Sequence, residues 1–436
     1  MNIRSTSLLI VSTAALSATA QIGVVVPAAG AEPSWQPERI IATSPRGSSL
    51  AVDAHNNSWV VWEALHGAIK VVERTAGGIW GRPREIARTN SAMADPQVAA
   101  DAQGNLTVAW ITYRKGFTDG VKAATRNARG GWSRPVRISD DKRIPGYGTD
   151  GKGPWGARWL DLAASPKGAV TVAWAWGSED RNKAWRIQSV FKPAGRRWGD
   201  MVQLTEATGA QHPQVGIAAD GTVTLLYTRQ VLGHPQRLLT RVRVPGAGWS
   251  QRTVLTNQGY SPKLLVDRAG DAMVVFMPSD RRIVAVYRPK GRHWGTPRRL
   301  SPEGARLDGQ SAAAMNGRGT AVVAWVGVDG SVNVVRRPRQ GPWSMLERVV
   351  DAPDQVDAVA VALNGAGDTF LTWGEYGLYG TYMPAGGSWA TPVTLSPETE
   401  VDVLETIDAQ VAPSGDAVVM WDQEGMPLKV RVGTTP

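Results

Sequence analysis

The chain is organised by a repeat, and the repeat limits the fold more than any other feature of the sequence. An aromatic residue closes a short apolar run eight times, at Trp62, Trp110, Trp174, Tyr227, Phe276, Trp325, Trp373 and Trp421, a mean spacing of about 51 residues. Six positions before it stands Gly104, Gly168, Gly221, Gly270, Gly319, Gly367 or Gly415, with Asn56 in the first copy. Gly and Asn accept positive φ at least cost, so a tight turn falls at this point in each copy. Three residues earlier, Asp53, Asp101, Ser165, Asp267, Asn316 and Asn364 offer short polar side chains that can bond the turn's own backbone. The segment reads as a β-hairpin of strands A and B.

A second landmark is a Trp at positions 35, 80, 132, 198, 249, 294, 343 and 389, followed six residues later by Ile41, Ile86, Ile138, Leu204, Leu255, Leu300, Val349 or Leu395. An even offset predicts that both lie on one face of a strand. Pro at 83, 135, 297 and 392 marks that strand as the outermost, D. Between the landmarks runs a basic alternating strand C, as in IKVVERTAGG and VNVVRRPRQG. Four short antiparallel strands per repeat, with no helical period, give an all-β, eight-bladed β-propeller of four-stranded blades. The chain opens on a D strand and closes on an A, B and C, so the last blade is expected to be assembled from both termini, hiding the sheet edges.

Arg4, the apolar stretch Leu8 to Val26 and Ala29-Gly30-Ala31 read as an export signal over residues 1–31, with the propeller in 32–436. No second apolar run of spanning length follows, so a secreted protein without a membrane span is expected. The absence of Cys excludes disulfides, Cys-zinc sites and a thiol nucleophile. The formal charge of +10 favours anionic surfaces such as acidic glycans, but the cations are spread over every repeat. Without a basic helix or an aromatic-interleaved RNA motif, no nucleic-acid partner is expected. The five His are scattered and no phosphate-binding Gly loop occurs, so neither a metal nor a cofactor is expected.

Function in repeat proteins concentrates where the repeat breaks. Trp132 and Gly168 are separated by 36 residues, against 21 to 26 between the same landmarks elsewhere. The segments joining B to C are longest in blades 2, 3 and 4. In a meander these B–C and D–A connections share one face, which predicts ligand contacts at Tyr113, Arg114, Tyr147, Trp155, Trp159, Trp176, Arg181, Trp185 and His234. Aromatic rings bounded by directional hydrogen-bonding groups suit a sugar or a protein partner. Glu63, Glu375 and Asp422, just after strand-B aromatics of adjacent blades, are candidate carboxylates for glycoside hydrolysis.

The Asp/Ser-x-x-Gly turns and Arg143-Ile144-Pro145 resemble the repeats of secreted bacterial propellers related in style to sialidases. The resemblance implies a propeller and, as an alternative function, a sialidase-like glycoside hydrolase. The leading expectation is a non-catalytic, monomeric binding module that takes a surface glycan or an extracellular protein partner.

Overall fold

The computed structural model describes residues 34–89, 94–114, 117–140, 156–177, 185–206, 208–230, 233–302, 311–351, 356, 358–374, 377–397, 404–423 and 426–434. They form eight antiparallel sheets, each ordered A-B-C-D. Blade 1 is typical: Arg46–Val52, Ser58–Ala64, Ala68–Arg74 and Arg84–Arg88. Each strand A packs beside strand A of the next blade, and strand A of blade 8, Leu404–Val411, returns to that of blade 1. The ring is closed as expected: Ser34–Trp35 and Arg39–Ala42 both pair with strand C of blade 8, Leu428–Thr434. No helix among the described residues is long and apolar enough to cross a membrane.

The core lies in the seams between blades. Eight main apolar clusters each draw on two neighbouring blades. Every strand-B aromatic is at most 4% exposed, and each blade turns that residue and its D-strand Trp toward the preceding blade. Blade 5, for example, places Phe276 and Trp294 against Leu226 and Leu238 of blade 4. The aliphatic residue six positions after the Trp does the opposite and packs toward the following blade: Leu300 joins the blade 5–blade 6 cluster and Ile86 the blade 1–blade 2 cluster. The same-face expectation fails because the D segment is not one continuous strand. In blade 4 it splits into Gly248–Trp249 and Thr253–Thr256, and elsewhere the Trp stands ahead of a short strand such as Arg84–Arg88. Alternation cannot be carried across an interruption.

The A–B turns form as the repeat dictates. The eight turn residues, from Asn56 at φ 67° to Gly367 at φ 110°, are all left-handed. Asp53 Oδ1 accepts from the N–H groups of His55 and Asn57 at 2.8 and 2.9 Å; Asp101, Asn316 and Asn364 repeat the arrangement, and Asp267 accepts from Gly270 and Asp271 N–H. Asn57, held by Asp53, accepts in turn from Ala76 N–H in the C–D turn, as Asn105 does from Ala128. These bonds place the A–B and C–D turns on one face, here the turn face, and leave the B–C and D–A connections on the other.

A further repeat was not visible in the sequence. Gly47, Asp95, Trp159, His212 and Ser261, each nine residues before its turn residue, adopt φ between 42° and 49° near the start of strand A. Four of them lie at or beside a shift in the A–B register within the strand, at Arg46/Ser48, Arg158/Asp161, Gln211/Gln214 and Tyr260/Lys263. Gly47 takes this conformation freely and Asp and His adopt it more often than most types, but Trp159 and Ser261 do not belong to them, so no single residue type announces the position.

Deleting residues 32–42 should destabilise the ring by more than the about 3 kcal/mol expected for truncating one core Trp. The deletion opens the last blade as well as removing Trp35, whose ring lies 5.3 Å from that of Phe370 in blade 7. Urea unfolding of the deletion and of Trp421→Ala compares the two costs; a smaller loss for the deletion would contradict closure.

Candidate functional site

Of the residues expected on the face of the B–C and D–A connections, Tyr147, Trp155, Arg181 and Glu375 lie outside the described residues, as does Arg143-Ile144-Pro145. Tyr113 and Arg114 end strand B of blade 2, Leu106–Arg114. His234 is exposed between strands B and C of blade 4, and its carbonyl accepts from Gln230 Nε2 at 3.2 Å. Trp159 sits within strand A of blade 3, Gly156–Ala164, rather than in an insertion loop. Trp176 and Trp185 are only 8% and 3% exposed, so both rings are in the seams.

The fold brings Trp159 and Trp185 together, with ring centroids 5.0 Å apart, and adds a residue that spacing did not suggest. His212, at the left-handed position of the next blade, packs its imidazole 4.3 Å from Trp159. Its Nδ1 is 3.3 Å from Thr228 Oγ1, and partial desolvation lowers its pKa from the ordinary value.

Of the candidate catalytic carboxylates, the two among the described residues are buried. Glu63 is 1% exposed and its Oε2 accepts from Ala94 N–H of blade 2 at 2.7 Å. Asp422 is 7% exposed. Other acids on this side join neighbouring inner strands: Asp161 Oδ2 accepts from Val215 N–H at 2.6 Å, and Asp408 Oδ2 from Leu50 N–H at 3.2 Å. Burial against the surrounding strands pushes both carboxyls up to about 6.

The turn face carries several open concavities. At the axis, a cavity of about 360 Å³ is lined by Asp53, Asp101, Arg268, Asn316, Arg318 and Asn364 among others. Further grooves of about 220, 640 and 450 Å³ lie between blades 2 and 3, 4 and 5, and 6 and 7. The largest of these exposes Ser250, Thr253, Arg292 and His293 around Trp294 and Arg288. Trp294 Nε1 donates to Thr240 Oγ1 of blade 4 at 3.0 Å, Arg288 Nη2 donates to Thr224 Oγ1 at 2.7 Å, and the guanidinium lies 5.3 Å from the indole centroid. Sequence reasoning missed this groove because its walls come from two different repeats and lie on the turn face, away from the long B–C segments.

No protein-family model matches the chain, and no curated protein matches it. Among solved structures it is similar to the BP39L lectin from Burkholderia pseudomallei, at 14% identity over 82% of this chain and 100% of that one, with a TM-score of 0.55. It is also similar to polysaccharide lyase Uly1, at 9% identity over 92% of this chain and 100% of that one, TM-score 0.48. For the Hadza microbial sialidase Hz136 the figures are 11%, 86%, 75% and 0.47. At such identities the likeness shows the propeller fold alone.

The raised carboxyls make stability depend on pH in a defined direction. Ionising Asp161 is unfavourable only in the folded state, whose value of about 6 exceeds the ordinary 3.8. The penalty is absent below about pH 4, grows between about 4 and 6, and is complete above. In Asp161→Asn a neutral amide oxygen accepts the same Val215 N–H. Raising the pH from about 4 to 7 should therefore cost the native chain up to about 3 kcal/mol more than the variant. Urea midpoints at both pH values read the difference; parallel shifts would clear Asp161 of the effect.

Proposed function

We propose that the chain is exported and acts outside the cytoplasm as a non-catalytic module that binds a surface glycan. Export is supported by the leader pattern of residues 1–31, where Arg4 precedes the apolar stretch Leu8 to Val26. The observation that carries the binding reading is the 640 Å³ groove between blades 4 and 5, in which an indole, hydroxyl groups and a guanidinium converge. A pyranose presents an apolar face and a rim of hydroxyls, and this combination meets both. The glycoside-hydrolase alternative draws no support from Glu63, whose carboxylate is committed to a buried backbone bond. The lectin similarity agrees with a propeller scaffold being used for sugar binding, and the grooves supply the chemistry.

Trp294→Ala in the full chain should weaken glycan binding about tenfold or more on an array, since it removes the platform of the groove. Trp389→Ala is the control. It removes the corresponding indole of blade 7, whose Nε1 donates to Glu347 Oε2 at 3.1 Å, and thus the same kind of seam packing. Equal losses from both variants would mean a purely structural role, and no signal from any glycan would overturn the reading.

A further inference from the structure

In most blades strand C ends on a cation opposite the first residue of strand B: Arg74, Arg126, Lys192, Arg243, Arg288 and Arg337. Several of these engage the preceding blade through a carboxylate or an aromatic ring. Arg74 pairs with Asp416 at 3.6 Å, Arg126 lies over Trp59, Arg243 over Phe191 and Arg337 over Tyr287. Arg288 differs. It reaches the preceding blade only through the Thr224 hydroxyl, with no carboxylate or ring there; like Arg74 it is buried, with an Nε that has no hydrogen-bond partner. Among the described residues no carboxylate lies within ion-pairing distance of it. The guanidinium lines the blade 4–blade 5 groove with part of its donor set unused.

The groove lies beside the axial cavity, and the turns of blades 4, 5 and 6 join the two. Ala219 N–H donates to the Arg268 carbonyl, and Arg268 N–H to Gly317 O. Asp220 and Gly270, which line the groove, are therefore next to the rim of the cavity that Arg268 and Arg318 line. Arg268, Arg292 and Arg318 are exposed, and none has an ion-pair partner among the described residues. The acids of this path are already engaged: Asp267 with its own turn, and Asp220 with Lys290. What remains is a strip of unpaired guanidinium groups ending beside an indole. Guanidinium is the group best matched to carboxylate and sulfate, through two parallel N–H donors.

We infer that this strip, from Arg318 and Arg268 at the axial mouth to Arg288, Arg292 and Trp294 in the groove, binds an acidic polysaccharide. The inference rests on the glycan-binding reading above and names the class of glycan. Uronate or sulfate groups along the polymer pair with the arginines while a sugar ring lies on Trp294.

Affinity electrophoresis of the full chain through polygalacturonate, dextran sulfate and unsubstituted dextran tests it, the first two separating carboxylate from sulfate recognition. One or both acidic polymers should bind about tenfold or more tightly than dextran, and the double variant Arg268→Gln/Arg292→Gln should lose about tenfold. Arg82→Gln/Arg84→Gln removes the same charge from exposed positions of blade 1 and should change binding less than about twofold. Equal losses from the two pairs, or duplex DNA bound as tightly as the polysaccharides, would overturn the inference in favour of general basicity. Dextran bound as well as the acidic polymers would overturn the charge class and leave glycan binding standing. Retardation by none of the three would overturn both.

Discussion

Each blade is a sheet with two apolar faces, and neither can be covered from within its own repeat. One face carries the strand-B aromatic and the D-strand Trp and needs the preceding blade; the other carries the aliphatic of strand D and needs the following one. This directional burial is the interaction on which the structure depends. A linear array would leave one face of the first blade and one of the last in water, so the hydrophobic effect itself demands a circle. The termini complete it by sharing blade 8, where Trp35 packs on Phe370 and Ile41 on the seam with blade 1.

The ring also sets a polar problem at its centre. Every inner strand has an edge that no fifth strand covers, and its N–H groups need acceptors from elsewhere. Side chains of the adjacent blade answer part of this need: Ser49 accepts from Val98 N–H, Asp161 from Val215, Gln214 from Leu264 and Asp408 from Leu50. Two of these acceptors are carboxyls held in low-dielectric surroundings, which is why they titrate near 6. Acids that composition alone would place on the surface are thus consumed by construction, as is Glu63.

That consumption gives the two faces different characters. On the turn face, Asp53, Asp101 and Asp267 are buried in their own turns, while Arg268, Arg292 and Arg318 remain exposed beside concave surface. On the opposite face, the aromatic residues that can be placed, Trp159, Trp176 and Trp185, are partly or wholly drawn into the seams. Aromatic residues near a loop serve packing whenever a neighbouring sheet lies within reach, and in a propeller one always does.

The sequence by itself determined the number of blades, the strand order, the left-handed turn positions and the shared last blade. All of these follow from local residue types recurring at fixed spacing, and turn chemistry and alternation act within a few residues. It did not determine which way Leu300 or Ile86 faces, because an interruption in the D segment resets the alternation. Nor did it reveal the left-handed residues of strand A, since Gly47, Asp95, Trp159, His212 and Ser261 share no residue type. The groove beside Trp294 and the unpaired state of Arg288 were decided only by the tertiary structure. Both depend on what a side chain meets across a seam, where residues 64 positions apart, such as Thr224 and Arg288, become neighbours.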